Sequence, residues 1–299
     1  MGWGEAAALL TAVSWAVSSQ INGAVGRLVG ASGVSLLRMP FQILFLALAC
    51  LAAGEEFVFS SHAVLYILLS GLTGVALADL CFYKSIILLG VRAAVLLQSL
   101  VTSFAAVFGL LFLREPLSAQ LAAGVALATL GVGVAVTAGS ERSTPPGQAP
   151  LTRREIQRGV ALGLMSAAFF ALSLIALRAA MQDGLDPVQG AFLRALLGGI
   201  AIWLIGVPGH WPRNAMRGAR ARPVILAMLS GSCLLGALGM WGSCVALRLT
   251  PAGIAATIMG LQPIWVIITS ALWDRRPPSC RVILGALIAF SGTTVVCLR

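Results

Sequence analysis

The sequence predicts an all-α membrane protein, ten transmembrane helices arranged as two inverted five-helix repeats. Three observations carry this. Hydrophobic residues make up 59% of the 299 and charged residues only 10%, against about 25% charged in a soluble domain, and the mean hydropathy is +0.96. Ten apolar stretches each approach the roughly 20 residues that cross a bilayer as a helix. The longest polar interruption lies at the middle of the chain, and similar short motifs flank it on both sides. The composition excludes a soluble globular enzyme, a disordered chain and a disulfide-built scaffold, and the short loops leave no room for a soluble domain.

The spans fall at about 5–25, 34–53, 63–83, 92–113, 119–138, 159–181, 188–207, 223–247, 252–273 and 281–298. The first is kept as a span because no Lys or Arg precedes it, as a signal peptide would require. The opening MGWGEA also lacks the Ser or Thr of a myristoylation signal, having Ala6 there. The second span closes on Glu55 and Glu56, the third near Lys84. The fourth ends in LREPLS (113–118). After the fifth comes the longest loop, 140–157, whose TPPG at 144–147 cannot continue a helix. This divides the chain into a first repeat at 1–139, a connecting loop at 140–157 and a second repeat at 158–299.

Net charge is +10, but the basic residues sit mostly between apolar runs. That is how cytoplasmic loops collect Lys and Arg, so a lipid bilayer rather than nucleic acid is the expected partner. Loops 1–2, 3–4, 5–6, 7–8 and 9–10 hold fourteen basic residues and the opposite set four. The positive-inside rule then puts both termini outside the cytoplasm. A multi-pass protein of a bacterial inner (plasma) membrane is expected. Ten spans suffice for a complete two-repeat unit in one chain, so a monomer is expected too.

No chemistry of an enzyme or cofactor is written in the motifs. The six cysteines form no CxxC pair, and buried Cys is an ordinary small apolar residue. His62 and His210 are the only histidines, both in expected loops. No HExxH, GxSxG, paired aspartates or nucleotide-binding motif occurs. We expect no cofactor, no metal and no catalytic residue.

The two halves share local patterns. Arg38 sits in SLLRMP and Arg194 in AFLRAL, each near the start of the second span of its half. Trp15 and Phe170 fall at matching places in the first spans. GVRAAVLLQSLVT (90–102) is similar to PAGIAATIMGLQP (251–263), and LREPLS to RRPPS (275–279). An odd number of spans per half turns the second repeat upside down, an architecture of transporters with the solute site between the repeats.

These residues resemble the EamA branch of the drug/metabolite transporter superfamily. FYKSIILLGVRAAVLLQSL (82–100) looks like that family's join of spans three and four, LREPLS like its acidic turn, and TPAGIAATIMGLQPIW (250–265) like the matching region of the second half. The resemblance implies a ten-helix fold and secondary transport, commonly export of amino acids, other metabolites or drugs. It also implies cytoplasmic termini, against the loop charges. Thr102 stands where the family often has proline, which Pro263 keeps, and Arg276 replaces the acidic residue that Glu115 retains.

Polar groups inside a bundle are costly in lipid and mark function. Asp79 is the only carboxylate well inside a span. It is a candidate proton-coupling site or a structural partner. Lys84 lies off its helix face and Tyr83, at i+4, on it. Arg38 and Arg194 suit bidentate recognition of a carboxylate or phosphate, or else anchor their helices at the membrane surface. The repeat relationship predicts that the two act alike. Gln98 and Gln262 are the favoured amides for binding a solute, because their spans resemble the family's cavity-lining fourth and ninth helices; Gln20, Asn22 and Gln42 are further amides. Trp15 and Trp241 are candidate aromatic walls, while Trp3, Trp211 and Trp273 read as interfacial. Pro263 is a candidate kink. The alternatives are a channel or lipid-handling protein, for which no charged ring or carbonyl-lined segment is evident, and a membrane-embedded enzyme.

Overall fold

A computed structural model describes residues 2–54, 61–101, 103–105, 107–108, 119–140, 152–208, 211, 223–250, 255, 258–274 and 279–297. Among these residues the protein is all helical. α1 is Trp3–Val29, α2 Ala31–Ala53 and α3 Ser61–Ser70. A π-helical segment, Gly71–Leu77, continues α3 without a break into α4, Ala78–Leu89. Then follow α5, Val91–Gln98; α6, Ala119–Ser140; α7, Arg153–Gln182; α8, Pro187–Gly206; α9, Pro223–Leu249; α10, Gln262–Asp274; and α11, Cys280–Cys297. Among the described residues, five helical stretches are long and apolar enough to cross a membrane: Ala31–Ala53, His62–Leu89, Arg153–Gln182, Pro187–Gly206 and Pro223–Leu249. Helix is found on all ten expected segments, but 92–113 and 252–273 are described only in part. Most of the 140–157 loop, LREPLS with Glu115, Thr102, His210 and Arg276 lie outside the described residues.

Local chemistry sets the helix ends. Gly30 and Gly90 take positive φ at sharp joins between consecutive helices, a conformation open to glycine without a Cβ penalty. Thr152 and Glu155 form a capping box at the start of α7. Asp186 caps α8 through the backbone N–H groups of Val188 and Gln189, ahead of Pro187 at the first helical position.

The third span runs six residues beyond its expected end near Lys84. The apolar SIILL continues the helix, and the Lys84 ammonium lies 5.8 Å from the Trp211 ring centre, so the charge has a partner without ending the helix. Asp79 is therefore about 15 Å from the helix end, at 1.5 Å per residue, nearly twice the depth the sequence suggested.

Helix pairing follows one rule. α1 packs on α9, and its counterpart α7 packs on α3, the π segment and α4. α1 also packs on α10, and α7 on α5. α2 pairs with α8, α5 with α10 and α6 with α11. Exchanging the halves returns the same pairs. The correspondence reaches single hydrogen bonds. Ser18 Oγ donates to the Ser232 carbonyl (3.0 Å), and Ser173 Oγ to the Ser70 carbonyl (2.9 Å). Thr11 Oγ1 donates to the Gly239 carbonyl (3.3 Å), and Ser166 Oγ to the Ala78 carbonyl (2.9 Å). Between these two sets lies a one-residue slip. Ser70 matches Ser232, 162 residues on, but Ala78 matches Gly239, 161 on. A π-helical turn is an α-helix with one residue inserted, and the π segment sits where the slip occurs.

Small residues let the helices approach closely, the usual packing device in lipid. Ala8, Ala12 and Ala16 of α1 are fully buried, and Gly239 and Gly242 of α9 face Trp15 and Thr11. α6 and α11 meet reciprocally: a Cβ on Gly131 would lie 2.7 Å from the Gly285 carbonyl oxygen, and one on Gly292 2.7 Å from that of Gly124. Large aliphatic side chains such as Leu51, Leu204 and Leu272 are exposed, which suits an outer surface in hydrocarbon rather than water.

Candidate functional site

A cavity lies where both halves meet, the kind of place where solute sites form between helices of a bundle. Its wall takes Trp15 from α1, Arg38 from α2, Asp79 from α4, Gln98 from α5, Arg194 from α8 and Gln262 from α10. An adjoining space shares Trp15, Gln98 and Gln262 and reaches Pro263. The structure thus brings together seven of the eight residues the sequence singled out.

Trp241 is the exception. Met240 and Gly236, one turn apart on α9, face the cavity. Trp241 is about 100° further round the helix and packs instead against the apolar core between α2, α8 and α9. Sequence reasoning ranked it by depth, which says nothing about rotation. Trp3 and Trp273 are exposed.

Arg38 and Arg194 are each the eighth residue of their helix, two turns in, and both are buried. Neither reaches the bundle surface. Their partners differ. Arg38 Nη2 donates to the Asp79 carboxylate, and its guanidinium lies 5.2 Å from the Tyr83 ring centre. Tyr83 is in turn fixed by Asn22, whose Nδ2 donates to the phenol oxygen (3.0 Å) and to Ser18 Oγ (3.1 Å), while Ser232 Oγ donates to Asn22 Oδ1 (2.8 Å). One network therefore ties α1, α2, α4 and α9 around the ion pair.

Among the described residues, Arg194 has no carboxylate partner. Its Nη2 donates to Ser173 Oγ (2.8 Å) and its guanidinium lies 5.6 Å from the Phe170 ring centre. Nε and Nη1 have no hydrogen-bond partner. Gly74 of the π segment makes room for this group, since a Cβ there would come within 2.6 Å of Arg194 Nη2.

The remaining wall is aromatic and amide. Trp15 and Phe170 meet edge to face, ring centres 5.7 Å apart, one from each half. Gln98 Oε1 accepts from Ser166 Oγ (2.8 Å). Gln42 presents Nε2 to the Met240 sulfur (3.8 Å), and its Oε1 has no partner. Gln20 bonds Ser270 and the Val266 carbonyl, joining α1 to α10 away from the cavity. Gln42, one of the further amides, and Tyr83, on the helix face of Asp79, also line the wall, as do Phe170 and Met240. Phe170 had a usable signal in its equivalence to Trp15, and Met240 had none. Such an arrangement can hold a small solute with one apolar face and one charged or hydrogen-bonding end.

The model of the EamA-like transporter family matches residues 2–137 and 157–298. Among curated proteins none matches. A solved structure described only as "Crystal structure of protein" is similar over 99% of this chain and 95% of that chain, with a TM-score of 0.62 at 15% identity; at that identity the likeness is one of fold.

Proposed function

The chain belongs to the EamA-like transporter family of the drug/metabolite transporter superfamily, and from that premise we propose that it is a secondary carrier exporting a small polar metabolite, an amino acid or related zwitterionic or anionic solute, or a drug. In this reading two inverted repeats, 1–139 and 158–299 joined by 140–157, rock around the cavity and expose it alternately to the two sides of a bacterial inner membrane. A single chain is the working unit. The observation that carries the reading is a charged, amide-lined cavity walled by both halves. Gln98, Gln262, Trp15, Arg38 and Arg194 contact the solute, Trp241 supports the wall from behind, Pro263 hinges α10, and Asp79 is the proton-coupling candidate.

The test is metabolite profiling of the medium around cells expressing the protein or its Gln98→Ala/Gln262→Ala variant at matched membrane levels. The reading expects a compound that accumulates outside only with the intact protein, and saturable counterflow of that compound in proteoliposomes. Flux that never saturates would make it a channel. Asp79→Asn is expected to remove pH-driven transport and leave counterflow; unchanged pH dependence would end the coupling role.

A further inference from the structure

We propose that the cavity binds a monoanionic carboxylate, which takes the place beside Arg194 that Asp79 holds beside Arg38. It rests on the carrier reading only in calling that carboxylate the transported solute.

The inference starts from a break in the internal symmetry. The one-residue slip at the π segment makes Met240 the counterpart of Asp79, and both side chains line the cavity. Arg38 and Arg194 are likewise counterparts, and their surroundings match closely. Cys233 Sγ donates to the Arg38 carbonyl (3.2 Å), and the equivalent Gly71 lies against the Arg194 carbonyl. What the second half lacks is the carboxylate. A thioether stands there instead.

The consequence is an uncompensated charge. Among the described residues, the cavity wall holds two guanidiniums and one carboxylate. Arginine stays protonated in proteins, so Arg194 cannot neutralise itself. A buried charge without a partner is strongly unfavourable. Arg194 is 1% exposed and two of its three nitrogens have no acceptor. One monovalent anion cancels that charge. A zwitterion, with no net charge, does not, and its ammonium brings a further positive charge beside Arg38 and Arg194. A planar carboxylate fits a guanidinium edge; on Arg194 either edge pairs one unpartnered nitrogen with the second N–H of Nη2, whose first goes to Ser173, and the Trp15–Phe170 wall accepts an apolar body beside it.

The test uses the purified full-length protein in detergent. Thermal midpoints are measured in titrations of sodium acetate, benzoate and phenylacetate, each against its amide at equal ionic strength, with phenylalanine as the zwitterion. At least one carboxylate is expected to raise the midpoint saturably and to bind at least about tenfold more tightly than its amide. Met240→Asp, which supplies the missing carboxylate to Arg194, is expected to keep the fold and abolish the effect; Arg194→Gln is expected to abolish it as well. The proposal is overturned if no carboxylate outperforms its amide, if phenylalanine binds as well as phenylacetate, or if Met240→Asp leaves the response intact. A protein that exports a solute yet fails this test refutes the anion site alone, whereas carboxylate binding without any export refutes the carrier reading alone.

Discussion

Removing Asp79 tests the physics of the site most directly. Asp79 and Arg38 have side chains only 21% and 8% exposed, so the pair is a buried one. Breaking such a pair from one side destabilises by about 3–5 kcal/mol, because the survivor is a desolvated charge. The two single changes are not equivalent here. Asp79→Asn leaves Arg38 and Arg194 in one cavity with no carboxylate between them. Arg38→Gln leaves Asp79 facing Arg194 across the same space, so its charge keeps an opposite neighbour. We expect Asp79→Asn to lose the full amount and Arg38→Gln the lower end of it or less. The double variant Arg38→Gln/Asp79→Asn strands no member of the pair, keeps Arg194 without a carboxylate partner as in the wild type, and exchanges one ionic hydrogen bond for a neutral one, a difference of about 1–2 kcal/mol. The assay is thermal unfolding in detergent at one fixed scan rate. The expected order of midpoints is wild type, then the double variant and Arg38→Gln, then Asp79→Asn. Strictly additive effects, with the double variant the least stable, would refute the reasoning, because neighbours in a shared ion pair must couple.

Other substitutions probe other parts of the argument. Gly131→Ala and Gly292→Ala should each destabilise by about 1–3 kcal/mol through overpacking against backbone, and by similar amounts because the contacts are reciprocal; unequal melting would deny the symmetry of α6 and α11. Gly74→Ala should impair transport at normal expression, since its Cβ displaces the Arg194 guanidinium, while Gly236→Ala, whose Cβ meets only Gln42 at 3.6 Å, should be silent. Trp15→Ala removes the edge-to-face contact with Phe170, and a loss of about 1.4 kcal/mol would raise the half-saturation concentration of the exported solute roughly tenfold.

The symmetry also bears on how the two arginines should behave. Repeat logic alone predicts equal roles for Arg38 and Arg194. The structure gives them equal positions and unequal partners. The cause is the neighbouring span: Asp79 stands in the first half where Met240 stands in the second. The π segment sets this register, because an inserted residue rotates everything after it by about 100° relative to an unbroken helix.

What the sequence determined by itself was local. Span length, loop polarity and helix caps depend on residues near one another in the chain, so the all-α membrane class and the presence of Trp15, Arg38, Asp79 and Arg194 within spans were legible, while the depth of Asp79 was not. So was the duplication, through the arginines and the paired 90–102 and 251–263 stretches. What only the tertiary structure decided was rotation and partnership. Hydropathy is nearly uniform around these helices, so no polar face marks which side of α9 meets the cavity; Trp241 was singled out, and Met240 lines the wall. The π segment leaves hydropathy unchanged and shows only in backbone hydrogen bonds such as Ala78 N–H to the Thr73 carbonyl, and in the register between helices. Arg38 and Asp79 lie 41 residues apart, and nothing local joins them. In a bilayer the apolar pattern drives insertion, while pairing comes from close packing of small residues and from buried polar groups finding each other, contacts that exist only once the helices have assembled.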